Sequence, residues 1–369
     1  DHTIKFVNQT NDSLEVKYFK AITQWQPTLG LYLPTFANAG YFNKNQLYKT
    51  VTKDENWVAA DGDNNTTIEF KNKEGQVVLK RTYNQGMEHN TYYVYDLYGN
   101  LTYVIPPKVN ASQSISGTVL DNLCYQYRYD YRNRLVEKKL PEKQWEFIVY
   151  DKLDRVVATG PALSPFGGNY SGWLISKYDV FNRVVYTAWL QKQIITTTER
   201  TLFQNDLNAA AVINETKTGS TVGIIANPYS SQVIPQNGYT LLSINYYDDY
   251  NFPNAYPISG PVFGQAIEVN CKGLATGSWV RVLTNPNESL ATVNSIYYDT
   301  KYRIVASHSS NYLQGYTDVK SKYNFEGQLV LTQTKHRGTS VSIIDIREEF
   351  QYTPQGRLLN HYHTINNQP

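Results

Sequence analysis

The sequence predicts an all-β protein, built as an array of β-hairpins that form a curved or spiralling sheet with at most one or two short helices. Three observations support this: 32 tyrosines in 369 residues, a Tyr-Asp motif that recurs along the chain, and strand patterns around it, with alternating tyrosines before the turn and adjacent aliphatic residues after it. Tyrosine favours half-buried pleated surfaces, where the ring packs and the hydroxyl stays in water. We therefore expect many strands and a wide, partly wet surface lined by tyrosine.

The motif has seven positions, numbered here from its tyrosine. Its seven copies cover residues 95–101, 129–135, 150–156, 178–184, 298–304, 323–329 and 352–358. The fifth position is Gly, Asn or Asp in six copies, the sixth is Arg in five, and the seventh is aliphatic in all seven. A chance pattern would not hold several positions at once, so each copy is interpreted as the same structural unit.

The motif predicts a strand, a tight turn and a second strand. Aspartate at the first position of a four-residue turn bonds the amides ahead of it, and Gly, Asn or Asp at the fourth tolerates the positive φ of a bulged hairpin. The residues expected to define the repeat are Tyr95, Asp96, Gly99, Leu101, Tyr129, Asp130, Asn133, Arg134, Tyr150, Asp151, Asp154, Arg155, Tyr178, Asp179, Asn182, Arg183, Tyr298, Asp299, Arg303, Tyr323, Gly327, Tyr352, Gly356 and Arg357.

The sixth-position arginines admit two interpretations. They could form an anion-binding row, or each guanidinium could stack on a nearby tyrosine or cap the turn carbonyls. The net charge of +2 favours the second interpretation. The same balance argues against nucleic-acid partners, which require concentrated positive charge.

Four regions are expected along the chain. Residues 1–60 form an N-terminal β region with drifted repeats, and 61–190 form the main array. Residues 191–292 elaborate the same sheet, with a short helix near 198–210 capped by Thr198 and a broken copy of the motif around 246–250. Residues 293–369 continue the array beyond the chain end.

No catalytic or metal site is predicted. Nucleophile-elbow, phosphate-loop and dinucleotide motifs are absent, so the chain is expected to be neither an enzyme nor a cofactor protein. The 61–65 segment lacks the later ligands of a calcium loop, and His361 and His363 lack a third ligand. No apolar run reaches 18 residues, so no membrane span is expected. Cys124 and Cys271 are either separate packed thiols or a disulfide.

The repeated Tyr-Asp-x-x-Gly-Arg-Leu pattern resembles the YD repeats of the RHS family. Segments 47–57 and 273–283 resemble RHS-repeat proteins of Bacteroidetes, including wall-associated-protein-like members. The resemblance implies a β-ribbon spiralling into a shell, here a partial one, that encloses a C-terminal toxin. It also implies export by the type 9 system to the outer cell surface or beyond. The family's Asp-Pro-x-Gly-like self-cleavage region is absent, so the chain is expected to be wall rather than cargo.

The partners implied by this resemblance are other repeats of the same protein, a C-terminal toxin cargo, and a secretion-system or surface protein. The alternative function is a surface adhesin or glycan-binding module, because aromatic platforms on a β-surface suit sugar rings. The candidate platforms are Trp25, Trp57, Trp145, Trp173, Trp189 and Trp279.

Overall fold

The computed structural model describes residues 3–338 and 342–368, and over these residues the all-β prediction is confirmed. The strands are β1 Lys5–Thr10, β2 Lys17–Gln26, β3 Leu31–Tyr41, β4 Tyr48–Lys53, β5 Thr66–Lys71, β6 Val77–Asn84, β7 Met87–Tyr95, β8 Leu101–Ile105, β9 Tyr125–Tyr129, β10 Leu135–Lys139, β11 Trp145–Tyr150 and β12 Val156–Leu163. They continue as β13 Ser171–Tyr178, β14 Val184–Gln191, β15 Ser220–Val222, β16 Ile225–Asn227, β17 Tyr239–Asp248, β18 Cys271–Arg281, β19 Ala291–Tyr298, β20 Ile304–Ser310, β21 Tyr316–Tyr323, β22 Leu329–Arg337, β23 Ile344–Tyr352 and β24 Leu358–Ile365. The helices are α1 Gly117–Leu123 and α2 Thr197–Ala209, with a 3-10 turn at Ala59–Asp61.

The chain divides into two units. The first contains residues up to Val149 together with 159–161 and 194–205, and the second contains the remainder. In the first unit, strands pair antiparallel in the order β1, β4, β5, β6, β7, β8, β9, β10, β11. Neighbours in sequence are neighbours in the ladder from β4 onward, as expected for consecutive hairpins.

The β2–β3 hairpin, joined to the ladder by the pairing of Tyr32 with Tyr129, packs over the first unit. Phe19 meets Tyr92 edge-on at 5.2 Å between ring centroids, and Phe36 meets Tyr103 at 5.4 Å. The Tyr103 hydroxyl donates to the carbonyl of Pro34 at 3.1 Å. The hairpin therefore closes an aromatic core, which removes ring surface from water while satisfying the phenol.

The second unit is a longer antiparallel ladder in the order β13, β14, β17, β18, β19, β20, β21, β22, β23, β24. Two insertions interrupt it. Residues 192–238, which separate β14 from β17, include α2 and the small β15–β16 hairpin, and residues 249–270 separate β17 from β18.

Helix α2 covers nearly the segment predicted from sequence, but its details differ. The side chain that accepts an amide of the first turn belongs to Thr196, which takes the N–H of Glu199, so the expected cap at Thr198 is wrong. Of its apolar side chains, Leu202 is exposed whereas Leu207 is buried. Neither helix of the described chain is long and apolar enough to cross a bilayer. Cys124 and Cys271 are both buried free thiols.

Candidate functional site

All seven copies of the motif form the same type of turn. Every first-position tyrosine is the last residue of a strand, and every seventh-position aliphatic is the first residue of the next. These tyrosines are Tyr95, Tyr129, Tyr150, Tyr178, Tyr298, Tyr323 and Tyr352. In the turn of the copy at 178–184, the Asp179 amide donates to the Arg183 carbonyl at 3.1 Å and the Asn182 amide donates to the Asp179 carbonyl at 3.2 Å.

The second-position carboxylate organises the turn. Asp179 Oδ1 accepts the amides of Phe181 at 2.9 Å and Arg183 at 3.0 Å, while its Oδ2 accepts the Arg183 Nε at 2.7 Å. Asp96, Asp130, Asp151 and Asp299 make the same pair of amide contacts. These carboxylates are buried, and their oxygens accept hydrogen bonds from amides of their own turns. They therefore stabilise the hairpin geometry.

The fifth position has positive φ in all seven copies. The values are 85° at Gly99, 58° at Asn133, 62° at Asp154, 62° at Asn182, 61° at Tyr302, 91° at Gly327 and 79° at Gly356. Six of the seven copies also show a register shift beside the Tyr–aliphatic pair, as at Tyr178 and Val184. The geometry is therefore the bulged hairpin that the Gly, Asn and Asp pattern predicts, and Tyr302 adopts it against its steric preference.

The sixth-position arginine contacts its own turn and the next one. Arg155 binds Asp151 through Nε at 2.6 Å and reaches the Asp179 carbonyl at 3.2 Å, and its guanidinium lies 4.7 Å from the Tyr178 ring centroid. Arg303 does the same with the Asn324 carbonyl and the Tyr323 ring. Tyrosine stacking and carbonyl capping, the second interpretation of the arginine row, both occur here.

Where the sixth residue is not arginine, its side chain still donates a hydrogen bond to the next turn. Asn100 donates to the Asn133 side chain at 3.1 Å, and Gln328 donates to the Gly356 carbonyl at 3.3 Å. The turn at 72–76, which precedes the first copy, makes the same kind of contact from the Gln76 side chain to the Gly99 carbonyl at 3.1 Å. The sixth position is therefore a forward link between neighbouring turns, and a long or planar hydrogen-bond donor satisfies it.

The first-position tyrosine makes a link in the opposite direction. Its hydroxyl donates to the seventh-position carbonyl of the preceding copy: Tyr129 to Leu101 at 2.8 Å, Tyr178 to Val156 at 2.7 Å, Tyr323 to Ile304 at 3.1 Å and Tyr352 to Leu329 at 2.9 Å. Tyr95 and Tyr298 donate to Val77 at 3.1 Å and Ala275 at 2.7 Å. The expectation that motif hydroxyls stay in water is therefore wrong for these six, because the backbone of the adjacent hairpin takes them instead.

The broken copy around 246–250 keeps the tyrosine and aspartate contacts of a repeat, with residues 249–270 inserted within its turn. The Tyr247 hydroxyl donates to the Val184 carbonyl at 3.2 Å, as a first-position tyrosine does. Asp248 Oδ1 accepts the Gly273 amide at 2.8 Å, and Gly273 has a φ of 85° like a fifth-position residue. The seventh-position role falls to Ala275, whose carbonyl accepts the Tyr298 hydroxyl. Sequence spacing could not reveal this, because residues 249–270 lie inside the turn.

Asp248 also receives the forward link. Arg183 binds it bidentately at 2.7 and 2.8 Å, and the Arg183 guanidinium lies 4.3 Å from the Tyr247 ring centroid. This hydrogen-bonded pair lowers the pKa of Asp248 to about 2. At Asp299, burial alone would raise the pKa, but the Arg303 side chain and the turn amides lower it overall.

A buried polar network fixes part of the first insertion in the second unit. Lys177 and Glu215 are both fully buried and 3.6 Å apart. Glu215 also accepts the Tyr186 hydroxyl at 2.9 Å and the Ser230 hydroxyl at 2.5 Å. Lys177 donates to the carbonyls of Val233 and Pro235. Burial lowers the pKa of Lys177 to about 8 despite the nearby Glu215 carboxylate, which raises it. Every charged atom is partnered, which is typical of a structural core pair.

The tryptophans proposed as glycan platforms are largely occupied. Trp173, Trp189 and Trp279 are buried. Of the half-buried ones, Trp57 is covered by the Lys53 ammonium at 3.4 Å and Trp145 by the Arg128 guanidinium at 3.8 Å. Among the described residues no group of three His, Cys, Asp or Glu side chains could hold a metal ion.

Comparisons with known proteins give structural likenesses only. No family model matches the chain, and no curated protein does. Solved structures that are similar include the crystal structure of TcdB2-TccC3-Cdc42, at 14% identity over 85% of this chain and TM-score 0.31. TcdB2-TccC3 without its hypervariable C-terminal region gives 14% over 98% and TM-score 0.31, and the Photorhabdus luminescens Tc holotoxin pore with a mutated TccC3 gives 12% over 98% and 0.30.

The chain spans only 16%, 21% and 25% of the length of those three chains. Likenesses of this size leave the function to be argued from the residues of the chain itself.

Proposed function

We propose that this chain is a structural wall segment of a secreted or cell-surface RHS-repeat protein, and that the wall carries or encapsulates a C-terminal effector or toxin. The observation that carries the proposal is the pair of opposite links between adjacent copies. Turns reach forward through their sixth residue, as from Arg155 to the Asp179 carbonyl, and six of the seven reach back through the tyrosine hydroxyl, as from Tyr178 to the Val156 carbonyl.

These links tie each of the linked hairpins to its immediate neighbours. A ladder of this kind can be extended by adding copies without redesigning what is already there, as in other repeat architectures. The side chains that repeat are also the ones consumed by turn and neighbour contacts, so the repetition serves the wall itself. A non-enzymatic, cofactor-free role follows from the same reasoning and forms part of the proposal.

Export completes the proposed role. The resemblance to Bacteroidetes RHS-repeat proteins suggests a type 9 secretion substrate, located at or beyond the outer cell surface. Its partners would be the remaining repeats, a C-terminal cargo, and a secretion or surface protein.

The decisive experiment uses the complete natural gene product. Electron microscopy of the purified protein, combined with limited proteolysis, should show a hollow body enclosing a segment that is protected from protease. A triple variant that removes the hydroxyl links, Tyr129→Phe with Tyr178→Phe and Tyr323→Phe, should release that protection while secondary structure is kept. An open ribbon with every downstream segment cleaved in the wild-type protein would refute encapsulation.

A further inference from the structure

A groove opens in the first unit beside the covering hairpin. It has a volume of about 930 Å³, within the range of ligand-binding clefts. One wall is the β2 segment 17–22, and the facing wall comprises the turns at 72–76 and 96–99. Rings of Tyr18, Phe42, Tyr92, Tyr93, Tyr95 and Tyr98 line the rest. We refer to this cleft as the β2 groove.

The β2 wall of this groove is an open strand edge. β2 forms its ladder with β3 alone, from Lys17 opposite Tyr41 to Gln26 opposite Leu31. Within the described residues, the backbone of 18–22 has no hydrogen-bond partner outside that ladder. In an antiparallel pair, alternate residues direct N–H and C=O groups away from the partner strand. The groove therefore presents a row of unsatisfied backbone donors and acceptors.

Three lysines and two carboxylates line the groove, so its lining carries a net positive charge. Lys17 and Lys20 lie on β2, where their ammonium groups sit over the Tyr41 and Tyr18 rings at 4.2 and 4.8 Å. Lys73 lines the opposite wall beside Glu74. The remaining lining carboxylate, Asp96, accepts two amides of its own turn. Lysines on an edge strand discourage indiscriminate pairing, and the same lysines favour a strand that carries acidic side chains.

We propose that the β2 groove binds an extended, acidic polypeptide segment of a partner protein, which adds to β2 as a further antiparallel strand. Strand addition of this kind takes its affinity from main-chain hydrogen bonds and its specificity from alternate side chains. Six residues of β2 give about 20 Å of edge, enough for an extended segment of similar length. Side chains on one face of the added strand would meet Tyr18 and Lys20, and those on the other would lie on the side where Phe19 packs against Tyr92. A glycan could stack on the rings, but it could not continue the amide ladder.

The test measures binding of a fluorescein-labelled octapeptide of four Val-Glu repeats to the full chain by fluorescence anisotropy. Saturable binding is expected, with slowed hydrogen exchange confined to the amides of 18–22. The same peptide N-methylated at alternate amides should lose binding, because it cannot form the ladder. Lys20→Glu should weaken binding about threefold to fivefold. Lys108→Glu, an exposed lysine of the same unit outside the groove, should leave it unchanged.

Three results would overturn the proposal. The N-methylated peptide could bind as well as its parent, exchange protection could fall outside β2, or a chito- or cello-oligosaccharide could protect the groove while the peptide does not bind. Circular dichroism of both lysine variants separates lost binding from lost folding, since both substitutions are on the surface.

Discussion

Replacing the turn carboxylate at Asp299 tests the structural logic of the repeat. Asp299 is 3% exposed and accepts the amides of Lys301 and Arg303, each at 2.9 Å. It also binds the Arg303 guanidinium at 2.7 Å through Nε. Asp299→Ala removes all of these contacts and leaves a partly buried arginine without its anion. Hydrogen bonds to a charged acceptor contribute about 1.5–3 kcal/mol each, and the turn amides regain some water contact, so we expect a net loss of about 3 kcal/mol.

The chain contains its own control for this substitution. In the copy at 323–329, Asn324 and Gln328 replace the acidic and basic pair: Asn324 Oδ1 accepts the Gln328 amide at 2.8 Å and its Nδ2 donates to Gln328 Oε1 at 2.7 Å. Asp299→Asn alone keeps the amide contacts but leaves Arg303 without its anionic partner, so the free energy of unfolding should fall by about 2 kcal/mol. The double variant with Arg303→Gln reproduces the natural neutral pair and should recover to within about 1 kcal/mol of wild type.

The assay is hydrogen exchange by mass spectrometry over peptides spanning β19 and β20, together with urea unfolding. A loss of 3 kcal/mol corresponds to exchange about 150-fold faster in the turn when the opened turn recloses faster than its amides exchange. The reasoning fails if Asp299→Asn costs as much as Asp299→Ala, or if Arg303→Gln does not rescue Asp299→Asn. In either case the charge or the turn would have a role other than the one assigned.

Three further substitutions test other contacts. Tyr352→Phe removes the hydroxyl link to Leu329 and should cost about 1 kcal/mol in urea unfolding, whereas the exposed Tyr131→Phe should cost nothing measurable. Tyr302→Asn relieves a φ of 61° and should stabilise by about 1 kcal/mol; a loss of stability would show that the Tyr302 ring makes a compensating contact. Lys177 has a folded pKa of about 8, below its ordinary 10.5. The unfolded chain therefore binds more protons between these values, stability should rise with pH across that window, and Lys177→Met should flatten the rise in pH-dependent exchange.

The hairpin array could be predicted because its signals are local. Aspartate at the second position and a residue that tolerates positive φ at the fifth act within one turn, so Tyr178 to Val184 contain all the information needed for their own geometry. The strand ends at Tyr95 and Leu101 follow from the same rule. Even Tyr302, which departs from the fifth-position pattern, is held in the turn by its neighbours.

Features that depend on distant residues could not be predicted. The tyrosine hydroxyls were expected in water, but their acceptors lie about 20 residues or more away in the preceding hairpin, for example Leu101 for Tyr129. Burial of the network around Lys177 and Glu215 depends on an insertion whose path leaves no periodic signal. The β2 groove arises because the 17–41 hairpin lies over the sheet, and no pattern within that segment indicates where it packs.

The split turn between Asp248 and Gly273 shows where this architecture accepts new sequence. A 2.8 Å bond joins the two sides of a loop that holds an additional folded segment, and the hairpins before and after it keep their links. The cost of closing a loop grows only slowly with its length, so the other Asp-led turns offer equivalent splice points. Foreign segments whose ends lie close together could be inserted at these turns. Related proteins could acquire different insertions in the same way while the pairing of their hairpins stays unchanged.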